Sequence, residues 1–124
     1  MNNNTIRNLK IENLIWIIYL FISIAALVSN YFEEDYIKTK NFKDFRTYKT
    51  INIEIFIVAF FIYLYFVYLN YKNISNLKKN ASKKKVLIAN VNFIASILFL
   101  LGGSIYLFTE SISQTPDEDA EIEF

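Results

Sequence analysis

Three long apolar runs set the limits on what this chain can fold into. They cover about residues 13–32, 51–71 and 86–108, and the heart of the first reads LIWIIYLFISIAALVS. A run of about 20 residues, coiled as a helix rising 1.5 Å per residue, spans about 30 Å, the thickness of a bilayer's hydrocarbon core. A water-soluble amphipathic helix would carry charges at helical spacing inside each run. Only Glu54 supplies one. Ile, Val, Phe and Tyr also favour strands. A lone strand leaves its backbone groups unpaired in lipid, however, and three strands are too few to close a barrel. The fold expected is therefore all-α and integral to the membrane: a three-transmembrane-helix bundle whose middle helix runs antiparallel to the other two.

The segments around the runs complete the organisation. Residues 1–12 form a polar, basic lead, 13–108 a single membrane domain, and 109–124 an acidic tail. The first run has Arg7 and Lys10 ahead of it and small residues behind it. It is too long for the apolar core of a signal peptide and reads as an uncleaved first span. The tail holds Glu110, Asp117, Glu118, Asp119, Glu121 and Glu123 with no basic residue. Such a composition buries no core and is expected to be disordered.

Lysine and arginine in the short flanks give the orientation. There are two before the first run, five between the first and second, six between the second and third, and none in the tail, so eight against five favour the N-terminus inside and the acidic tail outside. Lys78, Lys79, Lys83, Lys84 and Lys85 anchor this reading, because no acid accompanies them. They are expected to serve as a topology signal, the alternative being a contact for anionic lipid at about 1 kcal/mol per lysine near the surface.

Composition narrows the chemistry. The chain has no cysteine and no histidine, and its only methionine is Met1. Thiolate metal sites, thiol nucleophiles and histidine acid–base pairs are excluded, and haem lacks its usual ligands. No cofactor, metal or catalytic set is expected. The basic loop is short and lacks interleaved aromatic residues for stacking, so nucleic acid is not an expected partner.

Stripes within the runs suggest how helices pack. Trp16, Tyr19, Ser23, Ala26 and Asn30 share one face of the first helix, and Asn92, Ser96, Phe99 and Gly103 share one face of the third. Small and weakly polar residues let backbones approach in lipid, so these two faces are expected to meet. The middle helix offers Glu54, Val58, Phe61, Tyr65, Tyr68 and Lys72, bulky where its neighbours are small.

Glu54, Asn92 and Ser96 are the candidate intramembrane polar residues. A carboxylate at mid-membrane costs about 2.5–3.5 kcal/mol and by default prompts a functional reading. Glu54, however, lies only about one turn inside its run, within reach of an interface. Between the first two runs, Phe42, Phe45 and Tyr48 recur at three-residue spacing beside Lys43, Arg46 and Lys49. That segment is expected to form a short surface helix whose aromatic residues rest in the interface or meet a partner.

The function expected is non-enzymatic. The chain is read as a small membrane protein that binds another membrane protein or a second copy of itself, as an accessory subunit, a regulator or a toxin-immunity factor. An oligomeric channel or small transporter subunit is the alternative. In size and layout the chain resembles the three-span immunity proteins that protect against pore-forming colicins. The resemblance is one of layout, and no residue role is carried over from it. The orientation has a direct check: a cysteine placed at Ser82 stays unlabelled by an impermeant thiol reagent in intact cells and reacts once the cells are opened.

Overall fold

The computed structural model describes residues 2–113, and all its regular structure is helical. Helix α1 covers Asn2–Thr39, α2 Phe42–Ser75 and α3 Lys83–Ile112. All three are long and apolar enough to cross a membrane, and no strand occurs among the described residues. The expected disordered tail of 109–124 begins too early: residues 109–112 continue α3, where helix propagation and burial hold Glu110 in the structure, and the rest of that tail, from residue 114 onward, lies outside the described residues.

The helices overrun the apolar runs. At 38, 34 and 30 residues, they measure about 57, 51 and 45 Å against a hydrocarbon core of about 30 Å. Neither α1 nor α2 contains a glycine or proline to stop it. A helix satisfies its own backbone whether lipid or water surrounds it, so a polar sequence ends the membrane crossing without ending the helix. The polar lead is accordingly helical from Asn2, and the segment between the first two runs is helical except at Lys40 and Asn41.

Those two residues make a tight reversal. Lys40 adopts the left-handed backbone conformation, with φ of 59°, which costs a residue with a Cβ about 1–2 kcal/mol. Its N–H donates to the Tyr36 carbonyl at 2.7 Å, closing the end of α1. The Thr39 hydroxyl donates to the Asp35 carbonyl at 2.9 Å and accepts from the Asn41 N–H at 3.3 Å. Asn41 then caps α2, its side-chain oxygen accepting from the Lys43 N–H at 3.0 Å. The second connection ends in a similar cap, where the Ser82 hydroxyl accepts from the Lys85 N–H at 3.2 Å.

The described residues divide into two compact units after Ile55. In the first, α1 lies antiparallel to the opening turns of α2: Tyr36 meets Phe45 at 5.2 Å between ring centroids, and further back Ser29 meets Asn52. In the second, the rest of α2 lies antiparallel to α3. Phe56 stacks on Tyr106 at 6.0 Å, Tyr63 meets Phe99 at 5.8 Å, and Tyr71 meets Phe93 at 6.3 Å. Each step forward along α2 is matched by a step back along α3.

The contacting face of α2 differs from the one the sequence suggests. Phe56 and Tyr63 meet α3 and are covered at least in part, whereas Val58, Phe61 and Tyr68 of the suggested face are exposed. Large aromatic residues surround α2 on all sides, so bulk alone does not mark the side that packs.

Few apolar side chains are buried. Ile15, Tyr48 and Ile55 are buried in the first unit and Phe56 and Ile62 in the second, while Trp16, Leu20, Phe21, Leu27, Leu98 and Phe108 are each more than 60% exposed. In water such a surface would aggregate. Against lipid tails it is the ordinary outer face of a membrane protein, and the chain is placed in a membrane on this ground together with helix length.

Gly103 shows how closely α2 and α3 approach. A Cβ added there would lie 2.8 Å from Cδ2 and 2.9 Å from Cε2 of Tyr63, whereas one added at Gly102 meets nothing within 4 Å. Gly103→Ala is expected to lower the detergent concentration at which the protein unfolds. Gly102→Ala is expected to leave it unchanged or raise it, since alanine gains about 0.8–1.0 kcal/mol over glycine in a helix. Parallel unfolding titrations in mixed detergent micelles check the pair.

Candidate functional site

The first unit holds a polar seam that ends in an aromatic tip. Ser29 on α1 is fully buried. Its hydroxyl donates to Oδ1 of Asn52 and also lies 3.3 Å from the Tyr48 carbonyl. Asp44, Tyr48 and Asn52 recur every four residues and so share one face of α2. Serine and asparagine suit this place because a small donor and a short amide reach across without separating the backbones.

Four rings pack just beyond the seam. Tyr36 from α1 lies 5.2 Å from Phe45 and 6.3 Å from Tyr48. Phe45 meets Tyr48 edge-on at 5.4 Å and stacks on Phe42 at 5.4 Å. Such ring pairs contribute about 0.5–1.5 kcal/mol each beyond their buried area, enough to hold two helix ends together past the apolar runs. Tyr48 is completely buried, Phe45 half-buried and Phe42 exposed. The guanidinium of Arg46 sits 5.1 Å from the Phe42 ring centre, and the Lys40 ammonium 5.7 Å from that of Tyr36.

Charges line the polar side of the tip, outside the apolar runs. Lys38 pairs with Glu34 at 3.0 Å, with both side chains well exposed. The hydrogen bond and charge of Glu34 hold the Lys38 ammonium above its ordinary pKa. Hydrogen bonding to Asp35 holds the Asp44 carboxyl above the usual carboxylate range, with burial and the Asp35 charge acting the same way and Lys43 opposing.

The residues singled out by sequence are distributed as follows. Phe42, Phe45 and Tyr48 come together at the tip, and of the three Phe42 is the exposed one. Glu54 is exposed, and its neighbour Asn52 is the polar residue of that run that α1 covers. On α1, Tyr19 and Ala26 are half-buried while Ser23 and Asn30 are exposed, and the Ser23 hydroxyl donates to the carbonyl of Tyr19. On α3, Asn92 is exposed and Ser96 is buried, its hydroxyl donating to the Phe93 carbonyl at 2.7 Å. Gly103 lies against Tyr63. Lys78, Lys79, Lys83, Lys84 and Lys85 are all exposed.

Sequence reasoning passes over Ser29 and Asn52 as a pair and misses the contribution of Tyr36 and Asp35. A signal was present: Asn52 stands in the same apolar run as Glu54, four residues after Tyr48. Among the described residues, no group of three or more acidic side chains converges in a way that could hold a metal ion.

No protein-family model matches the chain, and no curated protein or solved structure matches it either.

The seam predicts a defined loss. Ser29→Ala removes the donor to Asn52 and is expected to destabilise the α1–α2 pair by about 0.6–1.7 kcal/mol, the range for hydrogen bonds between membrane helices. Ser23→Ala, which removes only a bond within α1, is expected to change stability little. Unfolding of both variants in mixed micelles measures the difference.

Proposed function

We propose that the chain is a small multi-pass protein of the bacterial cytoplasmic membrane that acts by binding another protein there, as an accessory or regulatory subunit or a toxin-immunity-type protein. The observation that carries this reading is the tip of the α1–α2 hairpin. It extends past the apolar runs, is braced from within by buried Tyr48, and presents Phe42 with Arg46 against its ring. A rigid exposed aromatic residue beside an arginine has the composition of an interface hot spot. The lysine distribution supports an orientation with the N-terminus and the second connection inside, which puts this tip outside. The exposed lysines between α2 and α3 would then rest against anionic headgroups of the inner leaflet.

A second reading is an oligomeric channel or transporter subunit. It is supported by Asn92, whose amide is exposed within an apolar run and would find partners only in an assembly. Ser96 and Glu54 would be the other polar residues of such a pathway.

One pair of experiments separates the two. A photoreactive phenylalanine analogue at position 42 is expected to yield one discrete protein adduct in native membranes, while the same group at Leu98 is expected to yield none. Phe42→Ala is expected to reduce recovery of that partner at least about tenfold, the loss that goes with a hot-spot side chain. Ion flux through liposomes containing the purified protein alone, without a discrete adduct at position 42, would support the channel instead.

A further inference from the structure

Asp35 and Asp44 oppose one another across the α1–α2 hairpin, within the stretch that separates the first two apolar runs. The ring contact between Tyr36 and Phe45, at 5.2 Å, holds the two helices side by side at this level. Oδ2 of Asp44 is buried, and among the described residues no hydrogen-bond donor reaches it. From α1, Asp44 is faced by Asp35, with the Glu34–Lys38 pair close by in sequence. Along α2 it has Lys43 beside it and Tyr48 one turn on. Of the cations near the tip, Lys38 holds Glu34 at 3.0 Å, Lys40 lies 5.7 Å from the Tyr36 ring centre and Arg46 lies 5.1 Å from that of Phe42, while Lys49, five residues on along α2, is buried. Lys43 alone acts on Asp44 in favour of its charged form.

Two ionised carboxylates both accept and neither donates, so a contact between them is favourable only when one carries a proton. We propose that Asp35 and Asp44 form a proton-operated clasp, closing the tip of the hairpin when the pair holds one proton and loosening it when both are ionised. The clasp lies outside the apolar runs, where water supplies and removes the proton, and it works whichever face of the membrane the tip occupies.

The direction of the pH effect follows from linkage. Asp44 in the folded chain holds its proton to a higher pH than an unfolded aspartate does. A carboxyl raised in this way stabilises the folded form below its unfolded pKa and loses that contribution as pH rises through the folded value. The tip therefore tightens on acidification, the reverse of what a salt-bridged aspartate produces. Because the carboxyls interact, the titration belongs to the pair. What the clasp governs is the packing of Tyr36, Phe45 and Tyr48, and with it the firmness of the platform that carries Phe42.

The test is amide hydrogen exchange of the full chain in phosphatidylcholine nanodiscs at about pH 4 and about pH 8, one value near the ordinary aspartate pKa and one well above it. Rates are corrected for the intrinsic pH dependence of exchange. The wild-type chain is expected to lose protection in residues 33–50 at the higher pH. Asp35→Asn supplies an amide donor in place of the repelling charge and is expected to stay protected at both values, and Asp44→Asn likewise. Equal protection of the wild type at both values would overturn the proposal, as would a pH dependence that survives in both variants. Carbon-13 NMR of the aspartate carboxyls in the wild type gives an answer that needs no variant. A pair that titrates in two steps, the upper one above the ordinary aspartate range, is expected. Two independent titrations in the ordinary range would overturn the clasp.

Discussion

Lipid on every side of a helix removes the force that pairs helices in water, because a leucine gains nothing by trading a lipid tail for a neighbouring side chain. What holds α2 against its neighbours must come from close fit and from polar groups that hydrocarbon cannot satisfy. The chain supplies one of each. Ser29 and Asn52 satisfy one another between α1 and α2, and Gly103 lets the Tyr63 ring settle on the backbone of α3. The aromatic contacts along α2, from Phe45 to Tyr71, fall where these approaches permit them. A small number of positions thus carries the packing, while most large apolar residues serve only to face lipid.

This division also decides how much could be read from the amino acids. The three crossings were legible, because length, apolarity and the want of charges allow nothing else to sit in a bilayer. The packing face of α2 was not. In a water-soluble helix the polar side announces the buried one, but a helix that is apolar all round carries no such asymmetry. Phe61 and Phe56 look alike in sequence, yet one is exposed and the other buried. The helical extensions were foreseen only in part, since a short helix was expected around Phe42 to Tyr48 but not a continuation of α1 to Thr39. Residues 33–50 are polar, and polarity in a connection suggests a loop. Yet polarity alone does not end a helix, and glycine and proline, the strongest breakers, are absent there, so α1 runs on to the left-handed Lys40.

The candidate site was half visible. Phe42, Phe45 and Tyr48 drew attention as aromatic residues among charges. The structure divides their labour, with Tyr48 buried as a brace and Phe42 left at the surface. Asp35 and Asp44 were hidden, because their significance depends on a reversal whose geometry no local pattern reveals. Separated by nine residues, they oppose one another only because α1 ends at Thr39 and α2 begins at Phe42.

That two-residue reversal also sets the phase between the first two helices. Each residue of an α-helix turns the chain by about 100°, so one residue added between Lys40 and Asn41 would change the placement of everything that follows on α2. One residue added on the tip side of Asn52, inside α2, would rotate Asn52 by the same angle away from Ser29 and the Tyr48 line away from Tyr36. Lengthening the connection itself with several flexible residues would instead free the two helices to find their pairing unaided. The left-handed lysine is thus a phase marker. It makes the partnership of α1 and α2 depend on counting residues as much as on choosing them, and deletions or insertions near it should be felt at the buried serine, about 15 Å away along α1.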